Sequence, residues 1–204
     1  MRYGVLTLLI ASTFVLSACA NLGEGTSDVT RSYLLAPVQS SAAQKTEASA
    51  PSVGVGPVEL APYLDRPQIV TRSGQNQLVM AAFDQWAAPL QDTIVRVLAE
   101  DIEQMTPAKA VVLYPWRRAE APDYQVTVDV ARFDGALAGP VTLKVYWTLF
   151  DRQGKVILQQ PSLIEEAAMG PSAGYPEFVA AMNRCLNRLS QEISQDIQRR
   201  VASK

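Results

Sequence analysis

The chain has 204 residues, 48% of them hydrophobic, and 18 basic against 20 acidic side chains give a formal charge of −2. That length suits one domain with a proper core, and the slight acidic balance argues against nucleic acid, which calls for a basic face. There is no histidine, which removes the commonest general base and the commonest metal ligand together.

The first nineteen residues read as an export signal. Arg2 is the one basic residue at the front, residues 4–16 are an apolar run, and Ser17-Ala18 supplies small residues before Cys19. The run is shorter than the roughly twenty apolar residues of a membrane span. Leu16-Ser17-Ala18-Cys19 resembles the lipobox of bacterial lipoproteins, which implies cleavage after residue 18 and acylation of Cys19 as the new first residue. Each buried methylene contributes about 0.8 kcal/mol, so two or more chains anchor a protein firmly. By resemblance to the lipoprotein sorting rule, Ala20-Asn21 lacks the aspartate of inner-membrane retention, and the expected address is the periplasmic face of the outer membrane. Removing 18 of 204 residues leaves 186, with Cys185 as the remaining thiol and no intramolecular disulfide.

Residues 19–30 are Gly, Ser, Thr, Asn and acid and read as a flexible tether. Extended, they reach about 35–40 Å. Residues 31–36 form a short β candidate ended by Pro37, and residues 37–52, rich in Ser and Ala, form a flexible loop. Residues 53–60 alternate valine with small or charged residues and predict a strand whose glycines receive a close neighbour. Pro62 and Pro67 predict a stiff extended turn over residues 61–67. Residues 68–72 and 77–83 flank Ser73-Gly74-Gln75-Asn76 and predict a hairpin.

The spacing of Leu90, Ile94, Val97, Leu98, Ile102 and Met105 predicts a helix over residues 89–105. The uniformly apolar residues 110–114 predict an interior strand, completing a strand-helix-strand crossover with a parallel pair. Alternation over residues 124–130 and 141–149, then a turn at 151–154 and a return over 155–160, predicts an antiparallel meander, with Pro161 tolerated only at a bulge or edge. Phe178, Met182, Cys185, Leu186, Leu189, Ile193, Ile197 and Val201 mark one face of a helix over residues 176–201, so Cys185 reads as a structural thiol. The expected fold is a single α/β domain over residues 31–204: a mixed, largely antiparallel sheet packed by two long helices.

Gly170-Pro171-Ser172-Ala173-Gly174 fits the G-x-S-x-G elbow, but Ser172 has no histidine to take its proton. Glu100 with Glu103 and Glu165 with Glu166 are carboxylate pairs of the kind that acid–base work requires, but Glu100 and Glu103 fall on the polar face of the expected helix and read as solvated surface charge. No metal cluster, P-loop or dinucleotide fingerprint is present, so the expectation is a protein that is not an enzyme and carries no cofactor or metal. Binding has better candidates. Tyr63, Leu64, Asp65 and Arg66 on a proline-stiffened segment have an interface-like mix, although Tyr63 and Leu64 could equally fold over the core. Trp86 and Trp116-Arg117-Arg118 read either as hydrophobic staples at element ends or as partner contacts.

Tyr33-Leu34-Leu35-Ala36-Pro37 after a lipobox, the run Val58-Glu59-Leu60-Ala61-Pro62-Tyr63-Leu64-Asp65-Arg66-Pro67-Gln68-Ile69-Val70-Thr71-Arg72, and Trp86-Ala87-Ala88-Pro89-Leu90 opening a helix together resemble the ABC-type transport auxiliary lipoprotein family. The likeness spans nearly all of the mature chain and departs from the family in the Ser/Ala-rich insertion at residues 38–52. It implies a domain related to the TolB amino-terminal type, a ring-like homo-oligomer, and an outer-membrane lipoprotein that docks a PqiB-type MCE tunnel protein, with a PqiA-type protein in the inner membrane. Tyr63, Leu64, Asp65, Arg66, Pro67 and Gln68 are the expected partner contacts. A module that itself holds a lipid or amphiphile in an apolar pocket is the alternative.

Overall fold

The computed structural model describes residues 29–38, 50–117, 121–169 and 174–202. The signal segment, Cys19, most of the tether, residues 39–49 of the loop, Arg118 and Ser172 lie outside the described residues.

Eight strands and two long helices follow one another along these residues. They are β1 (Arg31–Tyr33), β2 (Ser52–Leu60), β3 (Gln68–Arg72), β4 (Leu78–Trp86), α1 (Leu90–Met105), β5 (Ala110–Leu113), β6 (Tyr124–Gly135), β7 (Pro140–Asp151), β8 (Val156–Ala167) and α2 (Tyr175–Ala202). The mixed α/β domain and both helices match the expectation, but the strands divide into two sheets. Sheet one has the order β1-β4-β3 and sheet two the order β5-β2-β6-β7-β8. The meander β6-β7-β8 is antiparallel, while β2 runs parallel to both of its neighbours, β5 and β6.

Amphipathic patterning sets the packing. The inner face of sheet two presents Val126, Val128, Val130, Leu143, Val145 and Trp147, all buried, to the buried stripes of α1 and α2. The Trp147 indole N–H reaches Ser162 Oγ at 3.1 Å, giving the ring a partner for its one polar group. Every stripe residue of α2 named from the sequence is buried except Val201, which is half-buried. Cys185 sits within that stripe, and burial pushes its thiol up to about 12, which makes it an inert packing group.

Three local expectations change. First, β5 is an edge strand and not an interior one: it pairs with β2 alone, and Leu113 is exposed. The interior place belongs to β2, and the aromatic rings that follow β5 fold over its glycines. A Cβ on Gly54 would stand 2.6 Å from Pro122 Cγ and 2.7 Å from the Trp116 ring. Gly56, at φ +110°, has Tyr114 Cβ 2.9 Å from where its own would be. The Tyr114 and Trp116 rings meet edge to face at 5.4 Å. Second, residues 61–67 are not simply extended, because Pro62–Leu64 forms a single 3-10 turn. Proline at a helical first position is pre-set for such a turn, and this one drops Leu64 into the core.

Third, β1 ends at Tyr33, three residues earlier than expected. The chain then crosses the helices. Leu35 is fully buried, the Ala36 N–H donates to Asn183 Oδ1 of α2 at 3.1 Å, and the Val38 N–H donates to Asp101 Oδ1 of α1 at 2.9 Å. Asp101 is itself buried, and burial raises its carboxyl above the usual range. Pro161 fits as anticipated, in β8 at the outer edge of sheet two.

The crowding at Gly54 is directly testable. Gly54→Ala is expected to destabilise the domain by about 1–3 kcal/mol through overpacking, seen as a lower urea midpoint with an unchanged slope.

Candidate functional site

The segment between β2 and β3, together with the first residue of β3, carries the six partner residues singled out from the sequence, and the structure divides them. Leu64 is buried, Tyr63 is half-buried with its hydroxyl turned inward, and Asp65, Pro67 and Gln68 are exposed; Arg66 is half-buried between them. Backbone hydrogen bonds hold this shape. The Arg66 N–H donates to the Leu64 carbonyl at 2.9 Å, and the Trp86 N–H at the end of β4 donates to the Pro67 carbonyl at 2.7 Å.

Behind the segment lies an ionic cluster around Asp134 of β6, which is fully buried. Arg72 of β3 grips it with both prongs, Nε to Oδ1 and Nη2 to Oδ2, each at 2.8 Å. Arg132 adds Nε to Oδ1 at 2.9 Å, and the Tyr63 hydroxyl donates to Oδ2 at 2.7 Å. Burial alone would raise the Asp134 carboxyl, but Arg72, Tyr63 and Arg132 outweigh it and hold it below the usual carboxylate range. Burial, and then the bond to Asp134, pushes the Tyr63 phenol up to about 12. Tyr63 thus stays a neutral donor, and the segment is braced against the sheet.

Two clefts flank this brace. One of about 560 Å³ is bordered by Arg72, Arg132, Gln75, Thr142 and Glu165. Both of its guanidiniums bind Asp134, and Glu165 on the same border brings the count of charges level. The other, of about 370 Å³, lies between Asp65-Arg66-Pro67 and the run from Trp86 to Leu90 that opens α1. Trp86 is buried at its base, between two proline shoulders, Pro67 and Pro89. Its role is a staple with an accessible margin. Trp116, the other ambiguous tryptophan, is half-buried over Gly54.

The carboxylate pairs do not converge on shared chemistry. Glu165 accepts the Thr142 hydroxyl at 3.3 Å, while Glu166 binds Arg184 and Arg188 of α2 at 3.2 and 2.6 Å. Glu100 pairs with Arg96 one turn away at 3.8 Å, a surface contact of small value. Among the described residues no three His, Cys, Asp or Glu side chains gather as a metal site, and no helix is long and apolar enough to cross a membrane. Sequence reasoning missed Asp134, Arg72 and Arg132. The only signal was a carboxylate near the end of an otherwise well-patterned strand.

The braced segment and both walls of the smaller cleft fall within residues 33–194, which match the family model for the ABC-type transport auxiliary lipoprotein component. The chain belongs to that family. It is 25% identical over 178 residues to the intermembrane transport lipoprotein PqiC of Escherichia coli (strain K12), covering 87% of this chain and 91% of that protein. The Shigella flexneri PqiC matches at the same identity and coverage. Among solved structures, a crystal structure of an uncharacterized protein superposes with a TM-score of 0.68 at 21% identity, over 83% of this chain and 99% of that one. A protein from Xanthomonas campestris does so at 0.61 and 17% identity, over 86% and 98%. These two share the fold. The chain is therefore a PqiC-like auxiliary lipoprotein, of a family defined by transport and not by a catalysed reaction.

Asp134→Asn leaves Arg72 facing a neutral amide and is expected to destabilise the protein by about 3–5 kcal/mol, the usual result of breaking a buried ion pair. Because the folded carboxyl sits below its unfolded value, its contribution is present above the ordinary carboxylate range. It is lost as pH falls through the lowered folded value. Urea titrations of wild type and variant at a series of pH values are expected to converge on acidification.

Proposed function

We propose that this protein is a docking subunit of a PqiABC-type intermembrane lipid transport system, held to the periplasmic face of the outer membrane by acylated Cys19 and supporting the integrity of the envelope. In this reading the exposed Asp65, Pro67 and Gln68 with the half-buried Arg66, braced through Tyr63 and Leu64, receive a PqiB-type MCE tunnel protein. A PqiA-type protein completes the path at the inner membrane, and the subunits act as a homo-oligomer. No catalytic step is assigned to the chain.

The observation that carries the proposal is the braced segment itself. A surface fixed from behind by a buried ion cluster loses little conformational entropy when a partner binds. Its margin combines a buried tryptophan, two prolines and an adjacent Asp-Arg pair, a composition suited to an interface core with a polar rim. The lipobox and membership in a lipoprotein family support the anchor. The larger cleft beside the segment is bordered by Arg72, Ser73, Gln75, Arg132 and Glu165, a polar lining that favours docking over enclosure of an acyl chain.

Co-purification from membranes tests the reading. Wild-type protein is expected to bring down the MCE protein, and Asp65→Lys combined with Pro67→Asp is expected to lose most of it while keeping the wild-type urea midpoint. Undiminished recovery by that double variant removes the segment from the interface. Cys19→Ser is expected to release the protein into the soluble periplasmic fraction, and a variant that still takes up a clickable fatty acid refutes the anchor.

A further inference from the structure

We infer that the upstream half of β4, together with Val29, forms a membrane-contacting surface that lays the domain on the lipid bilayer holding its anchor. The inference rests on the acylated-Cys19 reading above and adds an orientation to it.

The starting point is a set of exposed apolar side chains on both faces of β4, along the stretch that β1 leaves as an open edge by pairing only with Asp84, Gln85 and Trp86. Val79, Met80 and Phe83 of β4 are 42, 51 and 42% exposed, Val29 is 72% exposed, and Ala82 between them is exposed as well. Single exposed apolar residues are ordinary, but a group on one short stretch of strand marks a contact surface. Among the described residues, the charges next to it on β1 and β4 cancel. Arg31 binds the buried Asp84 through Nε at 2.8 Å and Nη2 at 2.9 Å, and the Tyr33 hydroxyl donates to the same carboxylate at 2.8 Å.

Strand register connects this patch to the anchor. β1 lies parallel to β4, with Arg31 opposite Asp84 and Tyr33 opposite Trp86. The chain arriving from Cys19 therefore approaches over the upstream half of β4. Val29 lies on that incoming chain, two residues before Arg31. Cys19 is ten residues before Val29, a reach of at most about 35 Å, so the acyl chains hold this end of the small sheet near the lipid headgroups. The intervening Ala20-Asn21-Leu22-Gly23-Glu24-Gly25-Thr26-Ser27-Asp28 offers Leu22 as its one large apolar side chain. It cannot cover four such residues. A bilayer surface at that distance can, because apolar side chains partition into the headgroup boundary while the acyl chains supply the affinity.

The test uses the full mature acylated chain in phosphatidylethanolamine/phosphatidylglycerol vesicles that contain headgroup-region spin-labelled lipid. An environment-sensitive fluorophore is placed at Met80→Cys, at Phe83→Cys or, as a control on β8, at Leu163→Cys, where the native side chain is 68% exposed. Fluorescence at positions 80 and 83 is expected to be quenched by the spin-labelled lipid, and that at 163 to be unaffected. Equal, weak quenching at all three positions overturns the inference. So does a blue-shifted but unquenched signal at 80 and 83, which places a second copy of the chain or the tether on the patch. The mass of the same preparation reports acylation separately. Unmodified Cys19 defeats the anchoring reading, whereas acylated, vesicle-bound protein with its patch in water defeats only the orientation.

Discussion

A carboxylate with no access to water must find its counter-charges inside the protein or neutralise, and Asp134 finds them in two guanidiniums, with a neutral phenol as a further donor, drawn from three places in the chain. That requirement joins the two sheets. Arg72 comes from the small sheet, Arg132 and Asp134 from the large one, and Tyr63 from the connection between β2 and β3. The hydrophobic core beneath is continuous but non-directional, and it would tolerate some sliding of one sheet over the other. The fork of Arg72 on Asp134 would not, because two parallel N–H···O bonds fix angle as well as distance.

The same geometry explains how a proline-rich connection becomes a presentable surface. Pro62 starts a 3-10 turn, Leu64 is drawn into the core, and Tyr63 is turned inward by the carboxylate. Each step removes freedom from the residues that remain outside. The stretch Asp65-Arg66-Pro67-Gln68 is therefore supported at both ends, by Leu64 on one side and by the Pro67 carbonyl bond to Trp86 on the other. A surface that is to be recognised has to keep one shape, and buried polar contacts are an effective means of doing so.

Much of this architecture was readable before any coordinates, because apolar periodicity over a long element is a strong signal. The stripe on α2 and the alternation of β6 and β7 are matched nearly residue for residue by burial. What stayed hidden depends on tertiary context. An apolar run such as Ala110 to Leu113 reads as interior, yet it lies at an edge, because the aromatics that follow it pack on the glycines of β2 instead of extending the sheet. The division into two sheets left no local trace. Nor did Asp134, whose principal partner is 62 residues away. The six residues chosen for the surface were sorted by a hydroxyl and an isobutyl group that each had a better place to go.

The attachment of the chain after β1 bears on mechanical load. A tug on the amino-terminal side arrives first at a three-residue parallel ladder, β1 on β4, which is a weak clasp. Immediately behind it, Leu35 is sunk in the core, and the Ala36 and Val38 amides are bonded to α2 and α1. Force that peels the clasp is thus handed to the two helices and the whole hydrophobic interior, so the little strand can yield and re-form while the body of the domain stays folded.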